Sequence, residues 1–194
     1  MKKPIDITLE TTDDPIFIHI PKTSGMSIQL NLRKHIPAIN SHHRKVTYYD
    51  KSLRDRQFVF TFVRNPYDRL VSAFSYLTQG ICNEKDRAKA AKFPLNFKDF
   101  VIELNHNNIY MIHMLPMTFW LDDGVNFIGR YENIQEDYNY VCSILQIPEE
   151  KLPLLNNSKH KHYSQYYDQE SIDIVSKIYK KDLEAFNYDF KNNY

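Results

Sequence analysis

Phe58-Val59-Phe60-Thr61-Phe62-Val63-Arg64-Asn65-Pro66-Tyr67-Asp68-Arg69-Leu70-Val71-Ser72 is the stretch that decides the fold class. Its first six residues are apolar except for Thr61 and read as a strand buried on both faces. Asn65 then stands where a helix N-cap belongs, with Pro66 at the first helical position, where its missing N–H costs nothing. Leu70, Phe74 and Leu77 share one face of the predicted helix, and Gly80 is its expected end. An upstream stretch repeats the plan. Ile16 to Ile20 is a short apolar run interrupted by His19 and stopped by Pro21. From Ser24 onward Ile28, Leu32 and Ile36 recur at helical spacing until Pro37. Two strand–turn–helix units in series argue for an α/β fold with a central parallel β-sheet flanked by helices.

The remaining chain continues the alternation. Met1 to Pro15 is polar and reads as a loose lead-in. Glu84 to Lys92 is charged, an exposed helix or loop, and Phe97 to Met114 reads as one helix ending before Pro116. Val125 to Arg130 is a third strand, and Tyr138, Val141 and Leu145 mark a following helix. Leu152 to Tyr167 is a polar loop; Ile172, Val175, Tyr179, Leu183 and Phe186 predict a single closing amphipathic helix. With 194 residues the chain is expected to form one domain over 1–194.

Composition limits the function classes. The formal net charge is +1, so no general basic field exists for nucleic acid. Glycine is scarce, at four residues, which argues against a glycine-rich nucleotide loop. Cys82 and Cys142 are far apart and give neither a disulfide framework nor metal-ligand spacing; two buried reduced thiols are expected. No window approaches the roughly 18 apolar residues of a membrane span, and the basic start lacks an apolar signal core, so a cytoplasmic location is expected.

The chemistry sits in the two turns. Each places one cation just past a strand, Lys22 and Arg64, and a helix start behind it. Free backbone N–H groups and the helix dipole gather phosphate-like groups at such places. Two matching turns suggest a ligand with two separated anionic groups. Arg64 also has a purely structural alternative, a salt bridge to Asp68 one helical turn on.

Pro21-Lys22-Thr23-Ser24-Gly25-Met26-Ser27 is similar to the 5′-phosphosulfate loop of sulfotransferases that use 3′-phosphoadenosine 5′-phosphosulfate (PAPS), and Arg64 to Ser72 resembles their 3′-phosphate motif. The likeness is to the small carbohydrate-type enzymes, including the heparan 2-O-sulfotransferase group. Asn126-Phe127-Ile128-Gly129-Arg130-Tyr131-Glu132-Asn133, Leu154-Leu155-Asn156-Asn157-Ser158-Lys159 and the closing run Tyr179 to Phe190 look like later blocks of that family. The resemblance implies a P-loop-NTPase-like three-layer fold, PAPS as donor, adenosine 3′,5′-bisphosphate (PAP) as product, no metal, and a carbohydrate or other hydroxyl-bearing acceptor.

It also implies roles. Lys22 would stabilise the leaving phosphate oxygen, and Thr23, Ser24, Gly25, Met26 and Ser27 would wrap the phosphosulfate. Relatives usually have Gly or Ala where Ser24 stands and Thr where Met26 stands, so Met26 can offer only its backbone. Arg64 and Ser72 would hold the 3′-phosphate. His42-His43 falls where relatives place a catalytic histidine, and an imidazole suits deprotonation of a hydroxyl. Both remain candidates; His43 is favoured because Val46 then takes the place of a small apolar residue of the family pattern. Lys45 is a second-rank sulfate contact. Ser158, Lys159 and Tyr163 would close over the adenosine. His19, His106, His113 and Arg69 read as structural, and Arg130 with Glu132 as a buried ordering pair.

Two rival readings stand beside this one. A P-loop kinase or ATPase requires G-x-x-x-x-G-K-[ST] and a metal-binding Asp after a second strand, whereas Lys22 precedes the glycine and the second strand runs into Arg64. A non-catalytic module binding a phosphoadenosine nucleotide would keep Lys22 and Arg64 without a working base.

Overall fold

A computed structural model describes residues 14–39, 42–79, 82–107, 111–153 and 161–191. The chain divides into two compact units, Met1–Val63 with Phe119–Leu155, and Arg64–Thr118 with Asn156–Tyr194.

The first unit holds a parallel sheet in the order β1-β2-β3, formed by β1 (Ile16–Ile18), β2 (Val59–Val63) and β3 (Phe127–Arg130). Ile18 pairs with Thr61, and Thr61 with Ile128. Every residue of β1 and β2 is buried, as their unbroken apolar runs require. The Thr61 hydroxyl is satisfied by donating to the Ile18 carbonyl at 2.7 Å. The first strand is shorter than the apolar run, because the Ile20 N–H turns back onto the Ile18 carbonyl and Pro21 can donate no ladder bond. Phe58, Phe60 and Phe62 alternate onto one side and cluster with Phe17 of β1, with Ile28 and Leu32 of α1 (Gly25–Leu32), and with Tyr138 and Val141 of α6 (Ile134–Leu145). The ring pairs Phe17–Phe60 and Phe58–Phe60 stack at 5.1 and 5.4 Å. Helix α1 ends at Leu32, before Pro37. Its last turn tightens through Lys34 and His35 N–H bonds to the carbonyls three residues back, which still delivers Ile36 to the core. The short helix α2 (Lys51–Arg54) precedes β2.

The second unit begins with α3 (Pro66–Thr78), which starts as the sequence requires: the Tyr67 N–H donates to the Asn65 side chain at 3.0 Å, with Pro66 at the first position. The expected end, Gly80, lies outside the described residues. The charged stretch forms α4 (Glu84–Ala90), capped by Asn83. The middle helix α5 spans Phe97–Asn107 and is shorter than the predicted Phe97 to Met114. Residues 111–114 are not helical, so the helix does not reach Met114. His113 therefore lies past the helix, while His106 is on it.

The predicted closing helix is two, α7 (Gln169–Ile178) and α8 (Lys180–Phe186), broken at Tyr179 with φ −104 and ψ 22. The break has a tertiary cause. The Tyr179 hydroxyl donates to the Met114 carbonyl at 2.6 Å, and the Asp182 carboxylate accepts from Met117 and Thr118. The two thiols, Cys82 and Cys142, are buried and free as expected.

Asp168 opens α7 with a capping box to Ser171 and pairs with Lys98 at 2.7 Å. Lys98 first, then the Ser171 N–H and hydroxyl, hold its carboxyl below the ordinary 3.8. The folded value is depressed, so this contribution to stability is present above 3.8 and is lost as pH falls through the lower folded value. Asp168→Asn keeps a capping oxygen but not the charge. In acid titrations followed by circular dichroism, its stability deficit should be constant near neutral pH and vanish in strong acid; a deficit that persists there would disprove the charge assignment.

Candidate active site

The turn after β1 is built from backbone held against its preference. Lys22 and Ser24 have φ of 69 and 65, while Thr23 between them does not have positive φ. Left-handed backbone costs a non-glycine residue roughly 1–3 kcal/mol. Alternating handedness turns successive N–H groups toward one concavity, the arrangement that receives anions. Ser24 occupies the N-cap position of α1 but makes no side-chain cap bond. Among the described residues no acceptor takes the N–H groups of Gly25 or Met26, the first-turn donors that a helix cannot satisfy itself. Thr23 is buried and its hydroxyl donates to the Ile20 carbonyl at 3.0 Å, so that proton fastens the loop. Ser27 is buried, and Met26 points its side chain to solvent at 55% exposure. The loop thus offers backbone amides and the Lys22 ammonium, which fits a phosphate or sulfate group.

Behind the loop lies a histidine pair. His19 is buried just past β1 and stacks on Phe17, ring centroids 5.5 Å apart. Gly25 is required here, because a Cβ on it would overlap the His19 ring. His43 Nδ1 lies 2.7 Å from the carbonyl oxygen of His19. A carbonyl only accepts, so Nδ1 carries a hydrogen, and in the neutral ring the lone pair is then on Nε2. The two rings are 4.4 Å apart. His43 is half-buried and His42 is exposed. The His43 ring also faces Trp120 at 6.1 Å. Val46 is buried, and its N–H donates to the Trp120 carbonyl at 2.9 Å. The Lys45 ammonium lies 3.6 Å above the Phe119 ring. Sequence reasoning did not single out Trp120; its one trace was that this is the chain's sole tryptophan.

In the second unit Arg64 is buried and makes the pair that its spacing allowed: Nε and Nη2 face Asp68 Oδ2 at 2.8 and 2.7 Å. Its backbone N–H points at the Met117 sulfur, 3.4 Å away. Ser72 is buried on α3. Arg69 is structural, fully buried and donating to the Leu115 carbonyl at 2.9 Å. Tyr163 is buried, with its hydroxyl donating to the Phe190 carbonyl at 2.7 Å. Ser158 and Lys159 lie outside the described residues. In the first unit, Arg130 and Glu132 are half-buried rather than buried, and the buried carboxylate at that strand end is Asp137, accepting the Arg130 N–H at 2.6 Å.

Cation-bearing turns after strands of a parallel sheet place the chain in the P-loop-like α/β class. The chain belongs to the Sulfotransferase family, whose profile matches residues 8–189. It is therefore a sulfotransferase, of a family that generally uses PAPS and hydroxyl-bearing acceptors. An uncharacterized protein of Archaeoglobus fulgidus is 33% identical over 117 residues, covering 58% of this chain and 88% of that protein. No solved structure gives a significant match. Among the described residues no helix is long and apolar enough to cross a membrane, and no His, Cys, Asp and Glu cluster could hold a metal ion.

Proposed function

We propose that the whole chain works as one domain that moves a sulfuryl group from PAPS to a carbohydrate hydroxyl, with His43 as the base. The observation carrying this reading is the Nδ1–H bond of His43 to the carbonyl of His19, the residue three before Lys22, which in the neutral ring makes Nε2 the basic nitrogen. His43 Nε2 takes the acceptor proton. Lys22 meets the charge that grows on the leaving oxygen, and the amides of Ser24, Gly25 and Met26 hold the 5′ group. Arg64 and Ser72 are assigned to the 3′-phosphate; Arg64 shares its guanidinium with Asp68, which keeps the fork oriented. The carbohydrate class of the acceptor rests on the resemblance of the motifs.

The test uses labelled PAPS and a desulfated heparan-type polysaccharide. His43→Ala should reduce label transfer by about 10²- to 10⁴-fold, the usual contribution of a positioned base. PAP affinity by calorimetry should stay within about twofold, since the base acts on the acceptor. If His42→Ala abolishes transfer and His43→Ala does not, the base is misassigned. Magnesium-dependent ATP hydrolysis by the wild-type protein would instead favour the kinase or ATPase class.

A further inference from the structure

We infer that Trp120 is a positioning residue for His43: its indole forms the wall that keeps the imidazole on the His19 carbonyl and so decides which nitrogen carries the lone pair. Four observations meet here. The Trp120 and His43 rings are tilted together at 57° with centroids 6.1 Å apart. The Val46 N–H bond to the Trp120 carbonyl ties the chain just after His43 to the chain that carries the indole. Trp120 is 3% exposed, so its ring cannot swing away without repacking. Its Nε1–H is buried and has no hydrogen-bond partner among the described residues.

The last point is the informative one. Buried indole N–H groups usually find an acceptor, and an unsatisfied one needs an explanation. Here the ring's orientation is set by packing on its neighbours instead of by its own polar atom. A local rule is broken beside the very residue whose orientation the chemistry needs, which is where such conflicts are expected. A free imidazole can place its hydrogen on either nitrogen. The His19 carbonyl favours Nδ1–H only while Nδ1 stays within hydrogen-bond reach of it, 2.7 Å away here. The wall restricts the ring to that geometry.

The catalytic meaning of this inference rests on His43 as base, but two of its readouts do not. In wild-type protein, two-bond ¹H–¹⁵N spectra should show His43 chiefly as the Nδ1–H tautomer. Trp120→Leu, which removes the aromatic wall, should mix the tautomers and cut label transfer about tenfold with unchanged PAP affinity. Trp120→Phe, which keeps an aromatic wall, should restore most of both. A Trp120→Leu protein with wild-type tautomer and transfer overturns the inference. A shifted tautomer with undiminished transfer leaves the positioning role standing and removes His43 as base.

A second measurement survives even if Trp120→Leu fails to fold. Trp120 is the sole tryptophan, so the emission of the native protein reports on it alone. An imidazolium in contact with indole quenches it. Emission should fall as His43 protonates, and this step should vanish in His43→Gln. His19 is the other imidazole of the cluster, 4.4 Å from His43, and it remains in that variant. An identical pH response in His43→Gln would mean that Trp120 does not sense His43, and the inference fails.

Discussion

Lys22→Ala is expected to lower turnover by about two to three orders of magnitude while the affinity for PAPS changes only a few-fold. The bridging oxygen of the donor carries little charge before reaction. Charge gathers there as the bond to sulfur breaks, so a cation at that oxygen acts mainly on the transition state. Removing one such electrostatic contact costs roughly 2.7–4 kcal/mol of the barrier. Arg64→Ala should show the opposite split, a loss of donor affinity of about 10- to 100-fold as one charge-assisted contact disappears. Single-turnover rates and donor titrations on both variants separate the roles. Equal losses of rate and affinity in Lys22→Ala would reduce Lys22 to a simple binding contact. Backbone strain supplies an internal control. Lys22 has φ 69, so Lys22→Gly relieves a left-handed residue and should gain about 1 kcal/mol of stability while being as slow as Lys22→Ala. Inactivity in a more stable protein cannot be blamed on misfolding.

Asp182→Asn is the substitution expected to damage folding most. Asp182 is fully buried and accepts three bonds, from the N–H of Met117 at 2.6 Å, the N–H of Thr118 at 2.9 Å and the Thr118 hydroxyl at 2.7 Å. An amide has a single acceptor oxygen and turns its NH₂ toward a remaining donor. Burial disfavours the charge on Arg69, the largest effect on that group, and the Asp182 carboxylate is among those that offset it. Losing the carboxylate therefore orphans donors and leaves a buried cation less compensated. Breaking a buried charged network typically costs about 3–5 kcal/mol. For a chain of this size that is a fall in melting temperature of about 10 °C. Urea unfolding within 1 kcal/mol of wild type would show that the network is not what holds the 114–118 segment.

Much of the fold was legible because its signals are local. The β2 run and the start of α3 need only strand-forming side chains, an Asn cap and a Pro in order, and each behaves as its neighbours in the chain dictate. The two cation-bearing turns were legible for the same reason, a cation and a helix start within a few residues. Local periodicity misled where a tertiary bond intervened. The spacing from Ile172 to Phe186 fits one helix, yet Tyr179 and Asp182 are drawn to the 114–118 segment, and the helix breaks between α7 and α8.

The histidine pair marks the boundary most clearly. Adjacent in sequence, His42 and His43 have the same chemistry and nearly the same spacing to every motif, so local reading left both as candidates. The fold separates them through a carbonyl 24 residues away. Trp120 carried no local signature at all, because a single aromatic residue has no period and its contacts to His43 and Val46 join distant parts of the chain. By itself, the order of residues determined the parallel strands and the two cation-bearing turns, since those depend on neighbours a few residues apart. Only the tertiary structure decided which imidazole is oriented, what orients it and where the last helix breaks. Those are long-range pairings, and a one-dimensional pattern does not encode which distant carbonyl or ring a side chain will meet.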